Sequence, residues 1–98
     1  MFNFMNARTF QLLNPLEADL AGNMAYESYS VRGVSGESVE FSGNGELLSR
    51  RFFLLQSELE PLVGCKIGDD GEFFDIGIIK CCRDTEGNIA ACRCTVLS

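Results

Sequence analysis

Histidine is absent from this chain of 98 residues. Without an imidazole, the chain cannot build a Ser-His-Asp or Cys-His catalytic group, and it lacks a common metal ligand. Two acidic pairs remain as candidates for acid-base chemistry. Asp69 and Asp70 stand directly before Gly71 and predict a hairpin turn, whereas Glu58 and Glu60 alternate outward on a predicted strand. The sequence therefore predicts a protein that is not an enzyme and that needs no cofactor.

Basic residues are also few, since 8 Lys and Arg stand against 14 Asp and Glu, which gives a net charge of −6. Affinity for nucleic acid comes mostly from basic side chains that neutralise backbone phosphates. This charge balance argues against nucleic acid as a partner. Arg32 and the neighbours Arg50 and Arg51 leave open a local patch for a small anionic ligand. The alternative is that these arginines are solvated at the ends of strands.

Long apolar runs are missing as well. No run approaches the ~20 residues that a membrane-spanning helix requires, although 46% of the residues are hydrophobic. The first ten residues, MFNFMNARTF, contain no basic region followed by a continuous apolar core, which is the pattern of a secretory signal. We therefore expect a cytoplasmic protein that does not insert into a membrane.

The five cysteines are odd in number and show no C-x-x-C spacing. In the segment KCCRDTEGNIAACRC, residues 84–87 predict a hairpin loop with Gly87 at positive φ, and pairing Arg83 with Asn88 sets the register. This register places three of the hairpin's four cysteines on one face and Cys82 on the other. Thiols that do not converge cannot hold zinc. We expect no metal site, and free, buried thiols that suit a reducing compartment.

From Pro15 onward, the hydrophobicity of the sequence repeats every two residues over most of the chain. Alternating apolar and polar residues are separated by short turns that contain Gly and Asp. The predicted strands lie in PLEADLAG, MAYESYSVRG, ESVEFSG, RRFFLLQSELEP, LVGCKIG, EFFDIGIIKCC and NIAACRCTVL. Closing such a sheet on itself removes its unpaired edges. The sequence thus predicts an all-β fold, a small antiparallel β-barrel of six or seven strands.

The first fourteen residues leave more than one structure open. Asn6 can cap a short helix that carries Phe10 and Leu13, and Pro15 would end this helix. An added strand and a flexible tail are the alternatives. We therefore divide the chain into an N-terminal segment, residues 1–14, and a barrel domain, residues 15–98.

The stretch VRGVSGESVEF, residues 31–41, alternates, breaks at Ser35 and Gly36, and alternates again. Serine and glycine are common in turns, because the hydroxyl can bond to nearby backbone and glycine accepts unusual backbone angles. We predict a turn at these two residues, which forms either a corner of the barrel or part of a ligand site.

The order of elements resembles the PilZ domain over residues 15–97. The resemblance rests on PLEADLAG followed by SYSVRGVSGESVEF, then LLSRRFFLLQSEL and a terminal hairpin. PilZ domains are small barrels, and many bind cyclic di-GMP through R-x-x-x-R and (D/N)-x-S-x-x-G motifs. Only Ser35 matches the second motif, since Gly33 and Ser38 replace its other positions. Of the first motif, Arg8 stands alone. The resemblance therefore implies a degenerate member with weak or no nucleotide binding.

Three functional hypotheses follow. The first, implied by the resemblance, is an adaptor that binds another protein, or itself, in bacterial motility, pilus or secretion regulation, with Phe2, Phe4 and Phe52 as interface residues. The second is a cyclic di-GMP sensor that binds its ligand through Arg8, Arg32 and Ser35. The third is a small structural β-barrel component of a phage or secretion assembly.

Overall fold

The computed structural model describes residues 7–17 and 20–97, and these residues form one closed antiparallel β-barrel. The strands follow one another around the barrel in the order β1-β2-β3-β6-β5-β4, and β4 pairs with β1 to close the ring. The prediction of a small all-β barrel with six or seven strands is confirmed, with six strands. Their bounds are β1 Arg8–Pro15, β2 Tyr26–Phe41, β3 Leu47–Gln56, β4 Lys66–Asp69, β5 Glu72–Arg83 and β6 Ile89–Val96.

The barrel begins at Arg8, earlier than the predicted boundary at residue 15. Residues 8–15 form strand β1 in place of the short helix that we considered. Phe10 and Leu12 are both buried in the barrel, which is the two-residue period of a strand. Phe10 and Leu13 would lie on one face of a helix, but Leu13 points away from the core here. Asn6, the predicted helix cap, lies outside the described residues.

The predicted strand in PLEADLAG is wrong for its described residues after Pro15, which is the last residue of β1. Leu16, Glu17 and Leu20 follow β1 in an exposed connection that leads to β2. The Leu16 amide donates a hydrogen bond to the Ala25 carbonyl at 2.8 Å, but Leu16, Glu17 and Leu20 belong to no strand. Alternation alone does not make a strand where no neighbouring strand is available to pair with it.

Strand β2 runs without interruption through Ser35 and Gly36, so the predicted turn at these residues is wrong. Gly36 serves close packing instead of chain reversal. A Cβ atom at Gly36 would lie 2.8 Å from Cζ of Phe52, whose ring covers this position from β3. The space around Gly33 is smaller still, because a Cβ atom there would lie 2.2 Å from the carbonyl oxygen of Leu54. Both glycines allow β2 and β3 to approach closely as the sheet curves.

The core fills the barrel with side chains from all six strands. The Phe53 ring lies at its centre, 5.1 Å from the Phe10 ring in an edge-to-face contact and 5.6 Å from the Phe74 ring. Such aromatic pairs stabilise a core beyond the apolar area that they bury. The other buried members of this cluster are Leu12, Val31, Leu55, Cys65, Ile67, Ile76 and Cys94.

The predicted turns with Asp and Gly are confirmed. Asp70 and Gly71 adopt positive φ values of 52° and 86° between β4 and β5, and Gly87 does so between β5 and β6, at 86°. In the second turn, the Asp84 carboxylate accepts hydrogen bonds from the Glu86 and Asn88 amides, each at 2.9 Å. These bonds hold the loop in the conformation that its sequence favours.

The register of the last hairpin differs from the prediction by two residues. Arg83 pairs with Ile89 and not Asn88, which is a shift of one residue, and an irregularity between Cys82 and Arg83 adds the second. Cys81 therefore lies opposite Cys92 and not Ala90. The two sulfurs form a disulfide across the strands. The expectation of free thiols is therefore wrong for this pair, while Cys65 and Cys94 are free and buried, and Cys82 is free but exposed.

We expect the five cysteines to become reactive under three different conditions: in the folded protein, after denaturation, and after reduction of the disulfide. Burial raises the pKa of Cys65 to about 11 and that of Cys94 to about 12, so both stay protonated and shielded at pH 8, where an alkylating reagent needs the thiolate. Mass spectrometry after iodoacetamide treatment should find one modified cysteine, Cys82, in the folded protein. Denaturation without reductant should give three, and reduction should give all five. Five modified cysteines without reductant would contradict the disulfide.

Candidate functional site

Strands β2 and β3 continue beyond the barrel as a two-stranded ribbon, residues 37–51, which we call the arm. Strand β1 pairs with β2 only up to Gly33, and β6 pairs with β3 only from Phe52 onward. Within the described part of the chain, residues 37–41 and 47–51 pair with each other and with no third strand. The arm therefore carries two unpaired backbone edges, which are suited to pairing with another chain.

The turn at the tip of the arm is held by its own hydrogen bonds. The Ser42 amide donates to the Glu46 carbonyl at 2.8 Å, and the Glu46 amide donates to the Ser42 hydroxyl at 3.1 Å. Gly45 adopts a φ of 85°. Ser42 also contacts the side-chain oxygen of Asn44. The tip thus keeps a defined shape although no core covers it.

One face of the arm is apolar and exposed. Phe41 pairs with Leu47, and Val39 precedes Phe41 by two residues, so the three side chains lie on the same face of the ribbon. Their exposed fractions are 76% for Phe41 and 64% for each of the other two. Contiguous apolar patches of this kind are uncommon on monomers and mark surfaces that bind other molecules. The arm is therefore the first candidate for a functional surface.

A charged cluster lies where the arm leaves the barrel. The Asp69 carboxylate is almost fully buried and accepts hydrogen bonds from Arg8, at 2.5 and 2.9 Å, and from Arg51, at 2.7 Å. Arg51 also donates to the Ser35 hydroxyl at 3.1 Å and lies over the Phe74 ring, 4.6 Å from its centre. We call Arg8, Ser35, Arg51 and Asp69 the charged cluster. Charge-assisted bonds of this kind are the strong ones, and here they fix the base of the arm.

The cluster shows where the predicted ligand residues lie. Arg8 and Ser35 belong to it, but Arg32 does not, because Arg32 points outward from β2 and donates only a long bond, 3.4 Å, to the Ala7 carbonyl. Both arginines of the cluster already bind Asp69, which takes up much of their capacity to bind an anion. Cyclic di-GMP binding stays a prediction. Asp69 itself was predicted only as a turn residue, and nothing in the sequence placed it beside two arginines.

The predicted patch of Arg50 and Arg51 is not formed, because adjacent residues of a strand point to opposite faces. Arg51 faces the charged cluster, whereas Arg50 lies on the other face of the arm with its Nε atom 2.8 Å from Glu40. Phe52 is half-buried between Gly36 and Arg93, whose guanidinium lies 4.2 Å from the ring centre. The other two predicted interface residues, Phe2 and Phe4, lie outside the described residues.

A groove of about 740 Å³ opens in the barrel wall at the end opposite the arm, and we call it the lower groove. The groove exists because β3 ends at Gln56, which pairs with Arg32, whereas the part of β2 that precedes Arg32 extends back to Tyr26. Residues 26–31 of β2 therefore have β1 on one side and no strand on the other among the described residues. Apolar side chains of Tyr29, Val31, Leu59 and Ile89 line the groove, together with Arg32 and Glu58.

The described residues contain no metal-binding cluster and no helix that could cross a membrane. Residues 7–17 and 20–97 contain no group of three or more His, Cys, Asp or Glu side chains placed to hold a metal ion. In the same residues, no helix has the length and apolarity that crossing a bilayer requires.

These features define a class of fold, a closed six-stranded antiparallel barrel that carries a projecting two-stranded arm. No protein-family model matches the chain, and no curated protein matches it. Among solved structures, a chain of the "Virion of native gene transfer agent (GTA) particle" is similar, with a TM-score of 0.57 and 17% sequence identity. The similarity covers 91% of this chain and 92% of that chain. At this identity it shows a shared fold.

Proposed function

We propose that this protein is a structural, non-catalytic subunit of a phage-like particle, and that the arm attaches it to neighbouring subunits. The exposed apolar face of Val39, Phe41 and Leu47 is the observation that carries the proposal. The fold that the chain shares with a component of a gene transfer agent virion supports it. This is the third of our sequence-based hypotheses, and it shares with the first, the adaptor, the binding of another protein.

The arm suits a protein partner better than a small ligand. A two-stranded ribbon in water is marginally stable by itself, and its unpaired edges gain hydrogen bonds when a neighbouring chain adds a strand. A partner that covers the apolar face removes Phe41 and its neighbours from water, and burying one such side chain contributes about 1.5–3 kcal/mol. A small nucleotide offers neither a strand edge nor an apolar surface of this length.

The substitution Phe41→Asp tests this function in the organism that encodes the protein. We expect the tagged wild-type chain to sediment with particles in a density gradient, and the variant to remain in the soluble fraction, with at least a tenfold loss of particle-bound protein. A tenfold loss corresponds to about 1.4 kcal/mol. The charge on the apolar face prevents burial, and mass spectrometry of the particle fraction measures the amount.

Val63→Asp is the matched control. Val63 is also an apolar side chain, 92% exposed, and it lies in the connection between β3 and β4, away from the arm. This variant should sediment with the particles as the wild-type chain does. If Phe41→Asp also stays on the particles, or if the wild-type chain never reaches them, the proposed function is wrong.

A further inference from the structure

We propose that the lower groove of one copy of this chain binds the arm of a second copy, in a head-to-tail contact. This inference rests on the proposed function and adds the identity of the neighbouring subunit at this surface. The arm is the inserted part, and the lower groove is the receiving part. Both belong to every copy, so each subunit can bind one neighbour at each end.

The groove has a free strand edge of the right length. Residues 26–31 of β2 present an edge of about 20 Å at 3.3 Å per residue, and each strand of the arm, five residues long, presents about 17 Å. Placing an arm strand beside this edge extends the sheet and satisfies backbone groups on both chains. Strand addition of this kind gives affinity through main-chain hydrogen bonds and specificity through alternate side chains.

The side chains of the two surfaces fit this arrangement. Phe41 and Leu47 of the arm are apolar and exposed, and Tyr29, Leu59 and Ile89 provide an apolar lining in the groove. Glu46 lies at the tip of the arm, and the groove contains one basic and one acidic side chain, Arg32 and Glu58. The arrangement that we propose sets Glu46 beside Arg32, whose guanidinium is exposed and holds one long hydrogen bond. Opposite charges at the edge of a contact orient the two partners.

The arm cannot occupy the groove of its own chain. Phe41 and Val31 lie on the same strand, ten residues apart, which places them about 33 Å from each other along β2. The strand is continuous between them, and no turn allows the arm to fold back. An arm that fills a lower groove must therefore come from another molecule.

A contact between two different surfaces of identical subunits is heterologous. Such contacts build a ring when the rotation between neighbours closes, and a filament when it does not. Either arrangement repeats the arm-to-groove contact along the assembly. This differs from a two-fold dimer, in which two arms would pair with each other and the grooves would stay empty.

Mixing two variants of the full-length chain distinguishes these arrangements. Phe41→Asp disables the arm, and Leu59→Asp disables the groove at a side chain that is exposed by 42%, so the fold is kept. In sedimentation velocity, the wild-type chain should form oligomers, and each variant alone should be monomeric or at least tenfold weaker in association. An equal mixture should form dimers and nothing larger, since one intact arm meets one intact groove.

Arg32→Glu is the second groove variant. It keeps the apolar lining and reverses one charge, so it should weaken association without abolishing it, while Val63→Asp should associate as the wild-type chain does. Circular dichroism checks that each variant keeps its β-sheet spectrum.

Three results would overturn the inference: a wild-type chain that is monomeric at its highest soluble concentration, a Leu59→Asp variant that associates as the wild-type chain does, or a mixture that stays monomeric. Each of these leaves the sedimentation of the wild-type chain with particles unaffected, so this inference and the proposed function can fail separately.

Discussion

Phe53→Ala is expected to lower the free energy of unfolding by about 3–5 kcal/mol, the range for removing a buried aromatic ring. Phe53 has no exposed surface, and its ring contacts both Phe10 and Phe74. These neighbours belong to different strands, which are tied to each other by the barrel ladder and cannot collapse freely into the space. The cavity therefore persists, and its cost adds to the loss of apolar burial. A small domain has only about 5–15 kcal/mol to lose.

Urea unfolding followed by circular dichroism measures this loss. Phe41→Ala is the matched control, because it removes the same side chain from the exposed face of the arm. At a protein concentration where the chain is monomeric, we expect a change within about 0.5 kcal/mol, as for most surface substitutions. Equal losses for the two variants would mean that Phe53 is not at the centre of the core.

Gly33→Ala is expected to destabilise the barrel by about 3 kcal/mol, at the upper end for an overpacked site. The added Cβ would lie 2.2 Å from the backbone oxygen of Leu54 and 3.1 Å from a methyl carbon of Leu55. A side chain can rotate away from such an overlap, but a carbonyl in the ladder between β2 and β3 cannot. The two strands must therefore move apart, and hydrogen bonds at the base of the arm weaken.

Gly43→Ala provides the control for Gly33→Ala. Gly43 lies in the turn at the tip of the arm, has no positive φ, and has no atom within 4 Å of the position of an added Cβ. Its replacement should leave stability unchanged or raise it slightly, because alanine restricts the unfolded chain. Thermal unfolding of both variants gives the comparison, and an unchanged melting temperature for Gly33→Ala would refute the close approach of β2 and β3.

The fold was predictable because two signals indicate the same strands over most of the chain: the alternation of apolar and polar residues, and the positions of the turn residues. Asp70 with Gly71, and Gly87, mark their turns by residue type alone. Strand β1 was not recognised, because Phe10 and Leu13 also fit a helical spacing and Pro15 fits a helix end. Such a short segment takes its structure from its partners, here β2 and β4, and these partners are distant in sequence.

The candidate site was less predictable, because it depends on where neighbouring strands end. The sequence of β2 alternates on both sides of Ser35 and Gly36, and nothing in it shows that β1 stops opposite Gly33. Nothing in it therefore separated the arm from the barrel. Glycine was also ambiguous, since Gly36 was interpreted as a turn residue and proves to make room for Phe52. The pairing of Cys81 with Cys92 depends on an irregular residue in the hairpin, which spacing does not reveal.

The Asp69 carboxylate links β4 to β3, which the backbone ladder does not pair with it, and also to β1, which the ladder does. Arg8 begins β1 and Arg51 lies on β3, and these two strands are separated by β2, while Asp69 ends β4. A neighbouring molecule that pulls on the arm would load both of its strands, β2 and β3. Because Arg51 is tied to Asp69, the tension passes at once to β4 and, through Arg8, to β1. Pulling β3 away from the barrel therefore requires breaking the bond between Arg51 and Asp69 as well as the backbone ladder.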